Sequence, residues 1–391
     1  MAAAPTRPPA TFRPAPDRVT AAAFATPGDA LVIGGGLAGA SAAAALAAHG
    51  WKVRVFDAAR EPASGASALP AGLMAPHLSG DDNLLSQLSR HGVQATWRHA
   101  KALLREGIDW CGSGTLEHRV KSRRGAPPPD GNADAWHRDA STRQRAAACL
   151  PQEALAVWHP RAAWIRPAAL VHAWLAHPAI TWVGGTHIAD LQRAGAAWRL
   201  IDSNGHEVAR APLVLIAAAL GSGPLAGTRL SLHAVRGQIS WGLQSAAHGL
   251  PEFPINGHGH LLSHIPTEAG LSWISGSSYG RGDTGTDERS EDHADNLARL
   301  RILVPALAER LAAEFAQGRV QAWTGVRCAS TDRRPLVGEL EPGLWVTTAM
   351  GSRGLTFAAL CADLLAARLH GEALPLPPPL AAALDLARQR P

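Results

Sequence analysis

The sequence predicts an α/β protein: a nucleotide-binding domain built from discontinuous segments, with an α+β, antiparallel-sheet second domain inserted into it. Three observations carry that expectation. A strand, a glycine turn, a helix and a second strand follow one another between residues 30 and 57. The middle of the chain, about residues 230–280, is rich in strand-like runs. Beyond about residue 320 the pattern returns to strand and helix. Sheet and helix layers interrupted in this way indicate one domain inserted in another.

Element by element, Ala30-Leu31-Val32-Ile33 is a short apolar strand running into Gly34-Gly35-Gly36-Leu37-Ala38-Gly39, and an alanine-rich helix continues to about His49. Gly50 turns the chain into a strand from Lys52 to Phe56, closed by Asp57. Residues 84–106 read as helix. Residues 119–145 are polar and loop-like, broken by Pro127-Pro128-Pro129 and Asp130-Gly131. Strands are expected at Ile180–Val183 and Trp198–Ile201, and Asn204-Gly205 signals a hairpin toward Glu207-Val208. Leu213 to Ala218 is a buried strand, residues 291–316 a single amphipathic helix, and Leu344–Thr348 a strand before a helix to about His370. The expected boundaries are a disordered leader over 1–28, the nucleotide domain over 29–80, 150–228 and 320–391, and the second domain over 81–149 and 229–319.

Composition narrows the class. The chain of 391 residues has 37 basic and 32 acidic side chains, a net charge of +5, too small to argue for a polyanionic partner by itself. Cys111, Cys149, Cys328 and Cys361 form no C-x-x-C pair, so a reducing cytoplasm is the expected setting. No apolar run of about 18 residues could span a bilayer. The Ala/Pro-rich opening, Met1 to Gly28, lacks the apolar core of a secretory signal.

Gly34-x-Gly36-x-x-Gly39 follows a strand and opens a helix, and Asp57 ends the next strand 18 residues after Gly39. This is a Rossmann-type fingerprint: glycines permit the tight turn, the approach of backbone to a pyrophosphate and close helix–sheet packing. Asp57 would accept hydrogen bonds from a ribose and repel a 2′-phosphate. The motif does not choose between NAD and FAD. Gly221 to Gly227 imitates a second fingerprint, but its spacing is wrong and Pro224 interrupts it, so no NAD(P)H site is expected. A flavin reduced by its own substrate fits better. The small-residue loop Glu61 to Ser67, with Gly65, Ala66 and Ser67, could lie against that cofactor, Ser67 donating to the pyrophosphate. Near the C-terminus, Gly351-Ser352-Arg353-Gly354-Leu355 joins a strand to a helix N-terminus. Unpaired N–H groups there favour negative charge, such as gathers on the pyrimidine edge of a reduced flavin. Arg327, between apolar neighbours at an expected strand end, could grip a carboxylate in two-pronged geometry or form a structural ion pair with Asp332.

These residues resemble the FAD-dependent oxidoreductase module of the bifunctional MnmC-type tRNA wobble-uridine enzymes, within the D-amino-acid/glycine oxidase superfamily. The likeness covers most of residues 30–385. It is most specific at Val326-Arg327-Cys328-Ala329 with Asp332, Pro335, Val337 and Gly338, at Met350 to Leu355 with Leu360-Cys361-Ala362, and at Gly276-Ser277-Ser278-Tyr279 with Arg281-Gly282. Val235-Arg236-Gly237-Gln238 and Trp110-Cys111-Gly112 also fit. The resemblance implies a D-amino-acid oxidase-like fold, non-covalent FAD and a reaction on tRNA. The carboxymethyl group of 5-carboxymethylaminomethyl(-2-thio)uridine at the wobble position of the anticodon loop would leave as glyoxylate. It further implies that Arg327 and Arg353 hold the substrate carboxylate. The loop departs from the family, Ala68-Leu69-Pro70 following Ser67. The methyltransferase half is absent, so either a separate methyltransferase protein is the partner or this module acts alone. The alternative within the same superfamily is an oxidase of free glycine, sarcosine or a D-amino acid.

Other signals carry less. His258, His260 and His264 lack carboxylate or Cys partners for a metal. Cys361 lies in an apolar helix, as a core residue rather than a flavin link. Trp136 could offer a base-stacking face. Arg119, Lys121, Arg123, Arg124, Arg138, Arg143 and Arg145, set against Asp130, Asp134 and Asp139, could form a phosphate-contacting loop.

Overall fold

The computed structural model describes residues 26–120, 136–246 and 248–389. The leader up to residue 25, and Lys121, Arg123, Arg124, Asp130 and Asp134 of the basic loop, lie outside the described residues.

Near-continuous runs of buried Val, Leu and Ile place the strands Asp29–Ile33, Lys52–Phe56 and Leu213–Ile216 inside a six-stranded sheet. Its order is Leu336–Glu341, Leu344–Thr348, Leu213–Ile216, Asp29–Ile33, Lys52–Phe56, Ile180–Val183, parallel except for the first strand. Strands with both faces covered need near-continuous apolar sequence, which Leu31, Val32, Val214 and Leu215 provide. The helices Leu37–Ala48 and Gly354–His370 pack side by side over one face. The Ser41 hydroxyl bridges them, donating to the Ala38 and Ala358 carbonyls at 3.1 Å each.

The second layer is a nine-stranded sheet whose spine is Leu232–Leu243, paired along its length with Gln321–Ser330. Three placements differ from the sequence boundaries. Gln321–Ser330 and Ala156–His159, expected with the nucleotide domain, are strands of this large sheet. Helix Leu84–Leu103, expected with the second domain, instead packs on Gly354–His370. Any Cβ at Gly92 would collide with the Thr356 carbonyl, and Thr96 Oγ1 donates to Leu355 O at 2.6 Å. Long-range packing, invisible in a local window, decides all three.

The expected helix over 291–316 is two, Ser290–Leu303 and Pro305–Ala316. Proline at 305 excludes the α conformation from Val304, which takes φ −149°. The helix read over 84–106 ends at Leu103 and begins on Asn83, whose side chain accepts from the Leu85 and Ser86 N–H groups. Part of the expected basic loop is ordered structure: a capping box from Ser141 and Gln144 starts the helix Thr142–Ala147. Arg145 there is buried and donates to Asp139 and to the Ala140 and Ala154 carbonyls. It is a structural residue, not a phosphate contact. Asn204-Gly205 does turn a hairpin, Asp202 Oδ1 accepting from the Asn204 and His206 N–H groups.

Candidate active site

Four parallel strands end on a common edge, at Ile33, Phe56, Ile216 and Thr348, and a cavity of about 1050 Å³ opens beyond them. In open α/β sheets ligands bind outside such carboxyl ends. The large sheet closes the other side with Val235, Ile239, Trp323 and Arg327.

At the fingerprint, Gly34 has φ +110°, open to glycine at little cost, and a Cβ there would lie 2.5 Å from the Ala217 carbonyl oxygen. Gly36 faces Ser67, whose hydroxyl would be 3.1 Å from an added Cβ. That hydroxyl accepts from Leu37 N–H at 3.0 Å, which leaves its own proton free to donate. Asp57 accepts from Gly35 N–H at 2.6 Å and from Ala59 N–H at 2.8 Å, so its carboxylate braces the turn. Gly34, Gly36, Leu37, Ala38, Asp57, Gly65, Ala66 and Ser67 all line the cavity. Gly39 does not: a Cβ there would collide with the Gly34 carbonyl and press on Ala217, so its place is in helix–strand packing. Gly35, absent from the sequence-derived set, is shut in by the Trp182 ring.

The second half comes from the C-terminal hinge. Ala349 and Gly351 both have positive φ, +61° and +55°, and turn the chain from its strand into the helix Gly354–His370. This helix has no side-chain cap, and Gly351, Ser352, Arg353, Gly354 and Leu355 line the cavity beside the fingerprint helix. A Cβ on Gly354 would lie 3.0 Å from Leu37 Cδ1, so the two helix N-termini meet there. Met350 bridges to Ala329, tying the hinge to the strand that carries Arg327.

Arg327 projects across Gly237, where any Cβ would collide with its guanidinium, and Nη2 donates to Ser277 Oγ at 2.7 Å. The ring of Tyr279, the chain's only tyrosine, lies 5.9 Å from the guanidinium carbon. Burial lowers the Arg327 pKa, with Tyr279 opposing, and burial followed by the charge of Arg333 lowers that of Arg353. Both remain cations at any working pH. His260 is pushed down to about 4 by burial and then by Arg327, so it is neutral at pH 7. Asp332 is not the partner of Arg327. It pairs with Arg334 at 2.7 Å and Arg388 at 2.8 Å.

Among the described lining residues the only carboxylate is Asp57, against four guanidiniums, Arg299, Arg327, Arg333 and Arg353. Arg299 is paired with Asp295 at 2.8 Å. Sequence reasoning gave no site role to Tyr279, Gly237 or Arg333, and weighed His260 only as a metal ligand. Tyr279 and Gly237 stand in segments that carried the family likeness, so position along the chain could have found them.

A family model described as "FAD dependent oxidoreductase" matches residues 29–368. The chain belongs to this family. It is 49% identical over 368 residues to the tRNA 5-methylaminomethyl-2-thiouridine biosynthesis bifunctional protein MnmC of Polaromonas naphthalenivorans (strain CJ2), which covers 90% of this chain and 58% of that protein. To the protein of the same name from Verminephrobacter eiseniae (strain EF01-2) it is 46% identical, covering 97% of this chain and 66% of that one. The oxidoreductase thus spans about three fifths of the length of these curated relatives. Among solved structures, glycine oxidase from Bacillus cereus ATCC 14579 superimposes with a TM-score of 0.70 at 21% identity, covering 88% of this chain and 95% of that one. Iminodiacetate oxidase from Chelativorans sp. BNC1 gives 0.66 at 19% identity, covering 89% and 97%. These two share the fold.

The residues present suit FAD, the family's cofactor. A glycine turn without Cβ atoms, a carboxylate at the end of the second strand and two adjoining helix N-termini offer a dinucleotide its pyrophosphate and ribose contacts. Cys361 is fully buried, its thiol pushed up to about 12 by burial, and the Cys328 thiol is raised by burial as well. His264 is held by Gln244, and His260 faces the cavity. Among the described residues the one cluster with metal-ligand spacing is instead His49, His370 and Glu372, outside this cavity. Trp136, half-buried, packs on the core with the Arg161 guanidinium 4.6 Å over its ring. No described helix is long and apolar enough to cross a membrane.

Proposed function

We propose that this oxidoreductase removes the carboxymethyl group of 5-carboxymethylaminomethyl(-2-thio)uridine at the wobble position of tRNA, giving 5-aminomethyl(-2-thio)uridine and glyoxylate. The observation that supports it is a cavity with a glycine-turn cradle at one end and, at the other, guanidiniums with no carboxylate partner among the described residues, in a chain whose relatives are named for the biosynthesis of 5-methylaminomethyl-2-thiouridine in tRNA.

FAD, held non-covalently, supplies the two-electron acceptor. Arg327, held by Ser277 and Tyr279, takes the substrate carboxylate in two parallel hydrogen bonds, and Arg353 adds a second charge from the hinge. Gly34, Gly36, Asp57, Ser67 and the helix N-termini seat the dinucleotide. Gly351 to Leu355, at a helix N-terminus lining the cavity, would offer that cofactor partial positive charge. The cationic surroundings favour the neutral form of the secondary amine, whose lone pair then drives hydride loss from the adjacent CH₂. The resulting C=N bond takes up water and splits into the primary amine and glyoxylate. Orientation does most of the work, since no protein base is required.

The new primary amine is itself open to methylation, so a methyltransferase is the partner that fits this reaction, and the cytoplasm is the compartment. The rival reading, oxidation of a free amino acid, draws on the fold shared with glycine oxidase. Anaerobic mixing of the yellow protein with modified tRNA, glycine or sarcosine separates the two. Bleaching by tRNA alone supports the proposal; bleaching by the free amino acids alone overturns it.

A further inference from the structure

We infer that Arg333 is a specificity-determining residue that binds a phosphate of the substrate polynucleotide while Arg327 and Arg353 hold the carboxylate. The inference rests on the tRNA reading above. One carboxylate has room for two guanidiniums, yet three without a carboxylate partner among the described residues line the cavity. Arg327 and Arg353 are largely buried, whereas Arg333 is exposed at the rim, close enough for its charge to act on Arg353. Its turn is rigidly held. Arg333 N–H donates to Ser330 O at 3.1 Å and the backbone is left-handed, φ +59°. Asp332 before it is locked by Ser330, Arg334 and Arg388, and Arg388 also donates to the Arg334 and Pro335 carbonyls. Arg334 and Arg388 are thus committed to building the turn, and Arg333 is left lining the cavity. A free amino acid has one anionic group to offer these arginines. A nucleotide in a chain brings a phosphate as well.

The test compares Arg333→Ala and Arg333→Lys with the wild-type holoenzyme on two substrates: tRNA bearing 5-carboxymethylaminomethyluridine, and the free nucleoside. For Arg333→Ala we expect kcat/KM on tRNA to fall about tenfold through KM, and the slope of log kcat/KM against log salt to shrink by about 0.7, one single-strand phosphate. Nucleoside oxidation and flavin content should stay unchanged, and Arg333→Lys should recover most of the loss. Equal losses on tRNA and nucleoside, or an unchanged tRNA rate and salt slope, would overturn the inference alone. A wild-type enzyme inert toward tRNA would overturn the functional reading and this inference with it.

Discussion

At the fingerprint end of the cavity the protein's polar groups satisfy one another: Gly35 N–H is bound to Asp57, and Leu37 N–H to Ser67. At the clamp end, Arg327, Arg333 and Arg353 line the same space with no carboxylate partner among the described residues. The first end is a preorganised backbone cradle, made by small residues close in sequence. The second is a set of guanidiniums which, on the proposed function, await an anionic substrate. Binding a cofactor for the life of the protein and binding a substrate for one turnover call for this difference: one site is complete, the other is held in readiness.

Substitutions at the two ends should therefore fail differently. The largest effect is expected for Gly39→Val, whose side chain would drive the helix off the Gly34 carbonyl. The purified variant should be colourless, checked by absorbance near the flavin band against protein concentration. Arg327→Ala should stay yellow but lose kcat/KM by about 10³-fold or more, since carboxylate orientation is gone. Anaerobic flavin reduction measures it, and loss of colour would make the arginine structural. Gly237→Ala should cost less than either. It leaves the cradle intact but pushes the Arg327 guanidinium from Ser277, and a misplacement of that size costs up to about 10²-fold. Retention of full activity would mean that the clamp is not preorganised by this glycine.

The smallest effect concerns pH. His260 has a folded pKa of about 4, below its unfolded value, so the unfolded chain binds more protons between those values. Stability is full above about pH 6.5 and is lost as pH falls toward 4. His77, His91 and His99, each lowered first by burial, act in the same direction. Denaturant midpoints at pH 7 and pH 4.5 should differ, and His260→Gln should narrow the gap. An unchanged gap would place the acid sensitivity in the other three.

Much of the cradle was legible because its signal is local. Gly34, Gly36 and Asp57 are separated by one strand–helix–strand unit, and backbone sterics tie residue type to conformation. Gly39 shows the limit: the motif grouped it with the cofactor-binding glycines, yet it packs helix against strand outside the cavity lining, which depends on how the helix lies on the strand. The clamp was half legible. Arg327 stood out as a lone cation among apolar neighbours, yet Asp332 was an equally good partner on paper until Arg388, far along the chain, claimed it. Tyr279, Gly237 and Arg333 were hidden because nothing local marks a side chain that matters through its neighbours. The break at Val304 was readable from Pro305, and the periodicity on both sides concealed it.

The amino-acid sequence by itself determined the βαβ start, the glycine turn and the hinge that opens the last helix, because turn geometry and short apolar runs are properties of short segments. Only the tertiary structure decided that Gln321–Ser330 belongs to the large sheet, that two helix N-termini converge, and that three of the four guanidiniums lining the cavity have no carboxylate partner among the described residues. Those depend on long-range strand pairing and on which charges find partners, and both are settled by packing across hundreds of residues.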